Sequence, residues 1–578
     1  MNRTFRNVTT AATLGLLLAA GGCHRKRKTR SAPKSEDYAD SIRPLVQQKE
    51  LKILHWPNFS DYQPLVQTFY DDRNFEVAWV DNGKPTKQAT QFIDAFQHAD
   101  HHGLNPEDYD TSLWAARLAK LGSKNQDDVA QFDAAMTICV MRFISDLRIG
   151  RVNPTHFNFD IHTEDKKYDL PEFVSDNAVD TEDVGKLIDS VEPDSDQFRK
   201  TETALAHYRD LAKQQAASEQ LQQPLPTVAR PIKVGGTYGA LAPLESRLAL
   251  EGDLGDATAS QDGPLTFTLA LSAGVKHYQA RHGITPDGQL SAQTIASLNV
   301  PVTARIHQLN DSLERWRWLP NEYVNAPLMV NLPEFVLRGY GDGHKLDFTM
   351  KVVVGKVVGE HQTPVFTHEM KYLIFRPFWN VPISIIKKEL ASHLDRSGIR
   401  YLAEKNFETV DSRGNSVSST VAEVERGGVT VREKPGPKNS LGLVKFMFPN
   451  EYDIYLHSTP APELFDRSRR DFSHGCVRVQ KPEDLAVWVL RNTSGNWDAE
   501  KVHEAMTTGE NNHTVGLKTP IPIVIFYLTA NVGDDGEAHF FDDIYGYDQQ
   551  LETVLAKGMP YPSTQQKVNP KTVSGDTN

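Results

Sequence analysis

The sequence predicts an α+β protein of several domains, and three observations carry that prediction. The chain has 578 residues, more than one hydrophobic core supports. Its apolar periodicity is helical up to about residue 300 and changes to short strands beyond about residue 325. Pro-rich breaks and one long irregular insert separate the blocks. Hydrophobic residues make up 39% of the chain, with 26 Phe, 18 Tyr and 8 Trp, which excludes global disorder. A net charge of −12 and a pI near 5.9 exclude a dedicated nucleic-acid binder. Three cysteines, Cys23, Cys139 and Cys476, are too few for a disulfide scaffold and too far apart for a zinc-knuckle spacing.

Residues 1–22 read as a secretory signal. Arg3 and Arg6 precede the apolar run Ala11 to Ala20, about half the length of a membrane-spanning helix. The run ends in Ala20-Gly21-Gly22-Cys23, which resembles a bacterial lipoprotein signal, with Cys23 lipidated as the new N-terminus. Cleavage nearby without a lipid is the alternative. Residues 23–49, basic from His24 to Arg30, read as a tether. The mature chain is therefore expected in the periplasm or cell envelope, anchored at its front end. In that oxidising compartment a lone thiol is either buried or used. Cys139, within the apolar helical pattern Ala134 to Val140, reads as a core residue.

Residues 50–230 read as a helical scaffold domain, with amphipathic runs Gln91–Ala99, Thr111–Leu121 and Asp128–Leu147. A charged helix, Thr201–Gln223, leads to Pro224 and Pro226, a boundary. Residues 235–305 form three helices, Leu244–Leu250, Leu265–His282 and Ser291–Leu298, the last capped by Ser291. The spacing of Tyr278-Gln279, Gly283, Asp287-Gly288, Thr294 and Leu298-Asn299 resembles the peptidoglycan-binding three-helix module.

Residues 325–555 carry strand signals at Met329–Leu332, Val336–Tyr340, Phe348–Val354, Tyr372–Phe375, Val444–Phe448, Tyr452–Leu456 and Ile521–Thr529. The insert at about 383–437 reads as a capping lid or disordered loop, and residues 556–578 as a flexible tail.

The chemistry concentrates in two pieces, Tyr452 to Pro460 and Arg470 to Val479. Alternation puts Asp453, Tyr455 and His457 on the more polar face of the first. Gly475 permits close backbone approach beside Cys476, which stands at a loop-to-strand corner before Val477-Arg478-Val479. A thiol becomes nucleophilic as the thiolate, and an adjacent imidazole lowers its pKa and shuttles the proton. This assigns Cys476 as nucleophile and His457 as base, with the imidazole tautomer fixed by an acceptor and backbone amides holding an oxyanion. The alternatives are a packing cysteine, or a zinc site from His457, His474 and Cys476 that lacks a recognisable fourth ligand. His474 is either structural or part of the site, and Arg478 either braces the sheet or meets substrate. No metal and no cofactor is assigned.

His457 followed by Ser473-His474-Gly475-Cys476-Val477-Arg478 resembles the signature of L,D-transpeptidases with a YkuD-type catalytic domain, in the YcbB-like branch. Supporting pieces are Arg315 to Pro320, Arg376 to Pro382, Pro435 to Gly442, Lys445 to Asn450, Phe540 to Tyr545, His102 to Tyr109 and Asp146 to Pro154. Glu433 stands where that branch has Gln. The resemblance implies formation of 3→3 cross-links between peptidoglycan stem peptides through a cysteine thioester, with release of terminal D-Ala. It implies the backbone carbonyl of Ser458 as the acceptor orienting His457, and the His474, Gly475 and Cys476 amides as oxyanion hole. Arg478, Tyr455, Trp379, Asn380 and Asn439 are the implied substrate-binding residues. Partners are peptidoglycan stem peptides and glycan, with membrane anchorage through Cys23. A same-fold thiol hydrolase and a non-catalytic cell-wall scaffold are the competing readings.

Overall fold

The computed structural model describes residues 38–123, 125–254, 266–357 and 361–562. The signal at 1–22, the lipidation candidate Cys23 and residues 563–578 of the tail lie outside them.

The scaffold domain is built on α5 (Gln126–Ile149), against which α1 (Ala39–Val46), α3 (Lys87–Gln97) and α4 (Trp114–Leu121) pack; α2 (Gln63–Asp72) contacts α1. Helix α5 is buried on nearly every face, as its apolar run from Ala134 to Ile144 requires. Cys139 lies fully buried within it. The buried carboxylate of Asp133 on the same helix is satisfied by the amides of Ala78 and Trp79 and the hydroxyl of Tyr70. Helix α1 begins inside the stretch read as a tether, because Ile42 and Val46 enter the scaffold core.

Helix α6 (Asp196–Ala216) leads to a small three-helix unit: α7 (Leu241–Leu250), α8 (Leu269–Arg281) and α9 (Ala292–Leu298). Leu244, Leu248, Val275, Tyr278, Ile295 and Leu298 form its separate core. The Ser291 hydroxyl accepts the Thr294 amide at 3.1 Å, capping α9. Gln279 bolts the turn before it, accepting the Gly288 amide at 2.8 Å and donating to the Gln289 carbonyl at 2.9 Å.

Helix α10 (Val302–Trp318) is the spine joining the scaffold to the strand domain. Ser312 donates to the Ala530 carbonyl at 2.7 Å and Arg315 pairs with Asp548 at 2.5 Å. Toward the scaffold, Glu314 accepts the Arg151 amide at 2.5 Å and Arg317 donates to the His102 carbonyl at 2.6 Å. The alternating Arg315-Trp316-Arg317-Trp318 thus serves two interfaces, and all four side chains are buried.

Among the described residues, eight strands close into a ring: β1 (Leu328–Asn331), β2 (Val336–Tyr340), β3 (Leu346–Gly355), β4 (Phe366–Phe375), β8 (Val444–Met447), β9 (Leu456–His457), β11 (Val477–Val479) and β12 (His513–Phe526). The order is β3-β11-β9-β8-β4-β12-β1-β2, with β2 pairing back to β3, and β10 (Asp471–Ser473) adds to the end of β3. Only β9–β11 and β12–β1 are parallel within that ring.

Three expectations change here. The strand read over Tyr452–Leu456 shrinks to Leu456–His457, because the Asn450 side chain accepts the amides of Tyr452 and Ile454 and folds the chain into a turn with Asp453 left-handed (φ 52°). The insert is a folded subdomain, not an irregular loop. It starts at β5 (Trp379–Asn380), adds β6 (Phe407–Val410) and β7 (Thr430–Glu433) in the order β5-β7-β6, and closes over Ile386, Leu394, Leu402, Val424 and Val431. Of the stretch read as a flexible tail, residues 556–562 dock on the scaffold, where Met559 joins its core and the Tyr561 hydroxyl donates to Asp108 at 2.9 Å.

Candidate active site

Strand alternation assembles the site. Leu456 pairs with Phe446 and Val477, all fully buried in the barrel core. Its neighbour His457 therefore faces the other side, in register between Lys445 of β8 and Arg478 of β11. Cys476, two residues before Arg478 at the mouth of β11, shares that face and is half-buried. Adjacent parallel strands thus bring thiol and imidazole to one patch of sheet. Tyr455 joins them: its ring lies 5.8 Å from that of His457 and 3.7 Å below the Lys445 ammonium.

His457 is 4% exposed, and its Nδ1 lies 2.6 Å from the Ser458 carbonyl oxygen. A carbonyl only accepts, so Nδ1 carries the proton and Nε2 the lone pair. Burial, with the positive charge of Arg478, pushes the imidazole down to about 3, against hydrogen bonding to Ser458. Burial also pushes the Cys476 thiol up, against hydrogen bonding from Tyr455 and the charge of Lys445. The thiol points at the Asp453 carbonyl, 3.5 Å away. The resting pair is therefore neutral thiol and neutral imidazole; the lowering of the thiol pKa expected from the adjacent imidazole is outweighed by burial.

The nucleophile loop is held from beneath. Thr363 donates its hydroxyl to the Gly475 carbonyl at 2.6 Å and accepts the Gly355 amide at 2.8 Å. The Tyr545 hydroxyl accepts the Thr363 amide and donates to the Gly355 carbonyl at 2.7 Å. Gly475 is left-handed (φ 122°), with Ile454 closing on the space a Cβ would take. Sequence reasoning missed Thr363, since a lone threonine after a strand carries no signal.

The remaining residues sort as follows. The Gly475 amide donates to Ser473 Oγ at 3.1 Å in a local turn, so its assignment as an oxyanion donor is corrected for this conformation. The His474 and Cys476 amides meet no acceptor among the described residues. The His474 imidazole is committed to Glu389 of the insert at 2.6 Å, and its ring stands edge-on to His361. Arg478 keeps a buried Nε without a hydrogen-bond partner among the described residues. Asn439 does not line a groove: it is fully buried, accepts the Leu441 amide at 2.8 Å and donates to the Lys434 carbonyl at 3.0 Å. It fixes the turn whose Gly442 (φ 65°) packs so closely on Ser458 that a Cβ would stand 2.5 Å from the Ser458 side chain. Glu433 accepts the Ser440 amide at 2.8 Å in the same turn. Trp379 packs on the core of the insert, while Asn380 is exposed.

Away from this patch, His102, Glu192 and Glu202 bring three metal-capable atoms within 4.8 Å. Arg199, 2.8 Å from Glu192, and Arg317, 3.6 Å from it, already neutralise that cluster.

Comparison with known proteins agrees with this architecture. Residues 64–205 match the Scaffold domain family, and residues 326–523 match the YkuD family, the L,D-transpeptidase catalytic domain. A Haemophilus influenzae protein named "Putative L,D-transpeptidase" is 30% identical over 274 residues, covering 46% of this chain and 54% of that protein. The chain thus spans about half the length of this curated relative. His457 and Cys476 both lie inside the matched segment, so residues 326–523 carry a YkuD-type L,D-transpeptidase catalytic domain.

Proposed function

We propose that the protein is a peptidoglycan L,D-transpeptidase of the YcbB-like branch that forms 3→3 cross-links through a thioester on Cys476. The observation that carries this reading is the bond from His457 Nδ1 to the Ser458 carbonyl, which leaves Nε2 as a base on the face that presents the thiol. As the sulfur attacks the L-centre carbonyl of the third residue of a tetrapeptide stem, Nε2 takes its proton, so no standing thiolate is needed. The oxyanion of the tetrahedral intermediate is received by the amides of His474 and Cys476. Collapse breaks the bond to terminal D-Ala, whose amine leaves with the proton held by His457. The side-chain amine of a second stem's diamino acid then attacks the thioester, forming the cross-link and restoring the thiol. Arg478, with no carboxylate partner in the described protein, suits a substrate carboxylate.

The signal-like N-terminus supports a periplasmic location with anchorage through lipidated Cys23. The three-helix unit, by its turn pattern, supports contact with glycan or stem. The test is mass spectrometry of the full chain incubated with disaccharide-tetrapeptide. Cross-linked dimer with loss of one D-Ala is the expected product; tripeptide alone would make the protein a hydrolase, and unchanged substrate would remove the reading.

A further inference from the structure

Two cations face the Cys476 thiol, and among the described residues neither is held in an ion pair. Arg478 stands on one side of His457 in the β9–β11 register, and Lys445 on the other in the β8–β9 register. Neighbouring strands lie ~4.8 Å apart, so the two backbones straddle the base at about 10 Å. Neither cation forms an ion pair with an Asp or Glu among the described residues. The acid that bears on Lys445 is Asp453, exposed on the adjoining turn. The Lys445 ammonium rests instead on the face of Tyr455, 3.7 Å from the ring centroid. Because His457 and the thiol are both neutral at rest, the patch carries two positive charges whose nearest acid is the exposed Asp453 and neither of which is held in an ion pair among the described residues.

A half-buried ammonium held against an aromatic ring beside a nucleophile is desolvated in readiness for an anion. The thiolate and the tetrahedral oxyanion are single, transient charges; two cations on opposite sides of the base match a ligand that arrives with two carboxylates. A tetrapeptide stem has that form when its third residue is a diamino dicarboxylic acid. One carboxylate then ends the leaving residue, and the other sits on the side chain of the acylating residue. We propose that Lys445 is a specificity-determining residue that binds this side-chain carboxylate of the donor stem, while Arg478 faces the C-terminal carboxylate. The proposal rests on the transpeptidase reading above and adds to it which donors are accepted.

The experiment uses the full chain and two disaccharide-tetrapeptides that differ only in the third residue, one with a free side-chain carboxylate and one with the carboxamide. kcat/KM for D-Ala release is measured for wild type, Lys445→Met and Lys445→Arg. Wild type should prefer the carboxylate donor about tenfold or more, the worth of one well-placed charge-assisted contact. Lys445→Met should bring that preference close to unity and Lys445→Arg should keep most of it; should Lys445→Met not fold, Lys445→Gln takes its place. Equal use of the two donors by wild type, or an unchanged preference in the neutral variant with both rates lowered, overturns the proposal while leaving the transpeptidase reading in place. Release of D-Ala from neither donor overturns both.

Discussion

His457 donates its Nδ1 proton to the backbone carbonyl of Ser458, the next residue in the chain, at 2.6 Å. No third side chain is needed to orient the base, so no acidic residue has to be buried beside the thiol. The carbonyl is itself held in place: the Ser458 amide donates to Val444 at 3.0 Å, and Gly442 presses on the residue from the neighbouring turn. The tautomer of the base is therefore set by backbone geometry, and the following predictions depend on it.

Replacing Cys476 with Ala should abolish D-Ala release and cross-linking while leaving the fold intact. The side chain is half-buried and contributes one long hydrogen bond to Asp453, so the thermal midpoint should move little. Retained cross-linking by a folded Cys476→Ala protein would remove the nucleophile assignment.

Alkylation of Cys476 by iodoacetamide should keep accelerating with pH past about 9, without a plateau between about pH 5 and 8. The sign follows from the shifts: burial raises the thiol, so the thiolate fraction at neutral pH is small, and an imidazole near 3 cannot form an ion pair there. The rate is read at the Cys476 peptide by mass spectrometry, which also shows the fully buried Cys139 unmodified. A pH-independent fast rate from pH 5 would establish a standing thiolate instead.

Gly442→Ala should cost activity more than stability. Its left-handed backbone (φ 65°) disfavours any side chain by about 1–2 kcal/mol, and the new methyl would meet Ser458 at 2.5 Å. Relief requires moving the carbonyl that orients His457, and misplacement on the order of 1 Å costs about a hundredfold in rate. Loss of D-Ala release should accompany a fall of only a few degrees in the thermal midpoint; unchanged kinetics would show that the turn does not position the base.

The His102 cluster should make the scaffold less stable in alkali. Burial disfavours the charged form of His102, but the hydrogen bonds its Nδ1 donates to Glu192 and Glu202, each at 2.9 Å, outweigh that and raise it to about 9. A raised histidine contributes stability that is complete below about pH 6.5 and lost as pH climbs through about 9, here on the order of 2 kcal/mol after allowance for partial exposure. The stability gap between wild type and His102→Gln should therefore narrow from pH 6 to pH 10 in chemical denaturation; a constant gap would mean the histidine is not charged.

What the sequence determined alone is local chemistry and periodicity. The α+β class, the shift from helical to strand spacing and the Cys476 motif with His457 upstream are properties of neighbours in the chain, where alternation and spacing act directly. Tertiary structure decided everything that depends on which distant groups meet. Asn439 looked like a groove residue, yet burial turned all its polar atoms onto backbone; Thr363 carried no signal, yet it holds Gly475 from beside the end of the neighbouring strand. The strand expected over Tyr452 lost to a side-chain bond from Asn450, and the insert became a folded unit because its scattered apolar residues find one another only in three dimensions. The protonation state of the pair was likewise set by tertiary structure, since desolvation is a property of the folded surroundings and not of the residues themselves.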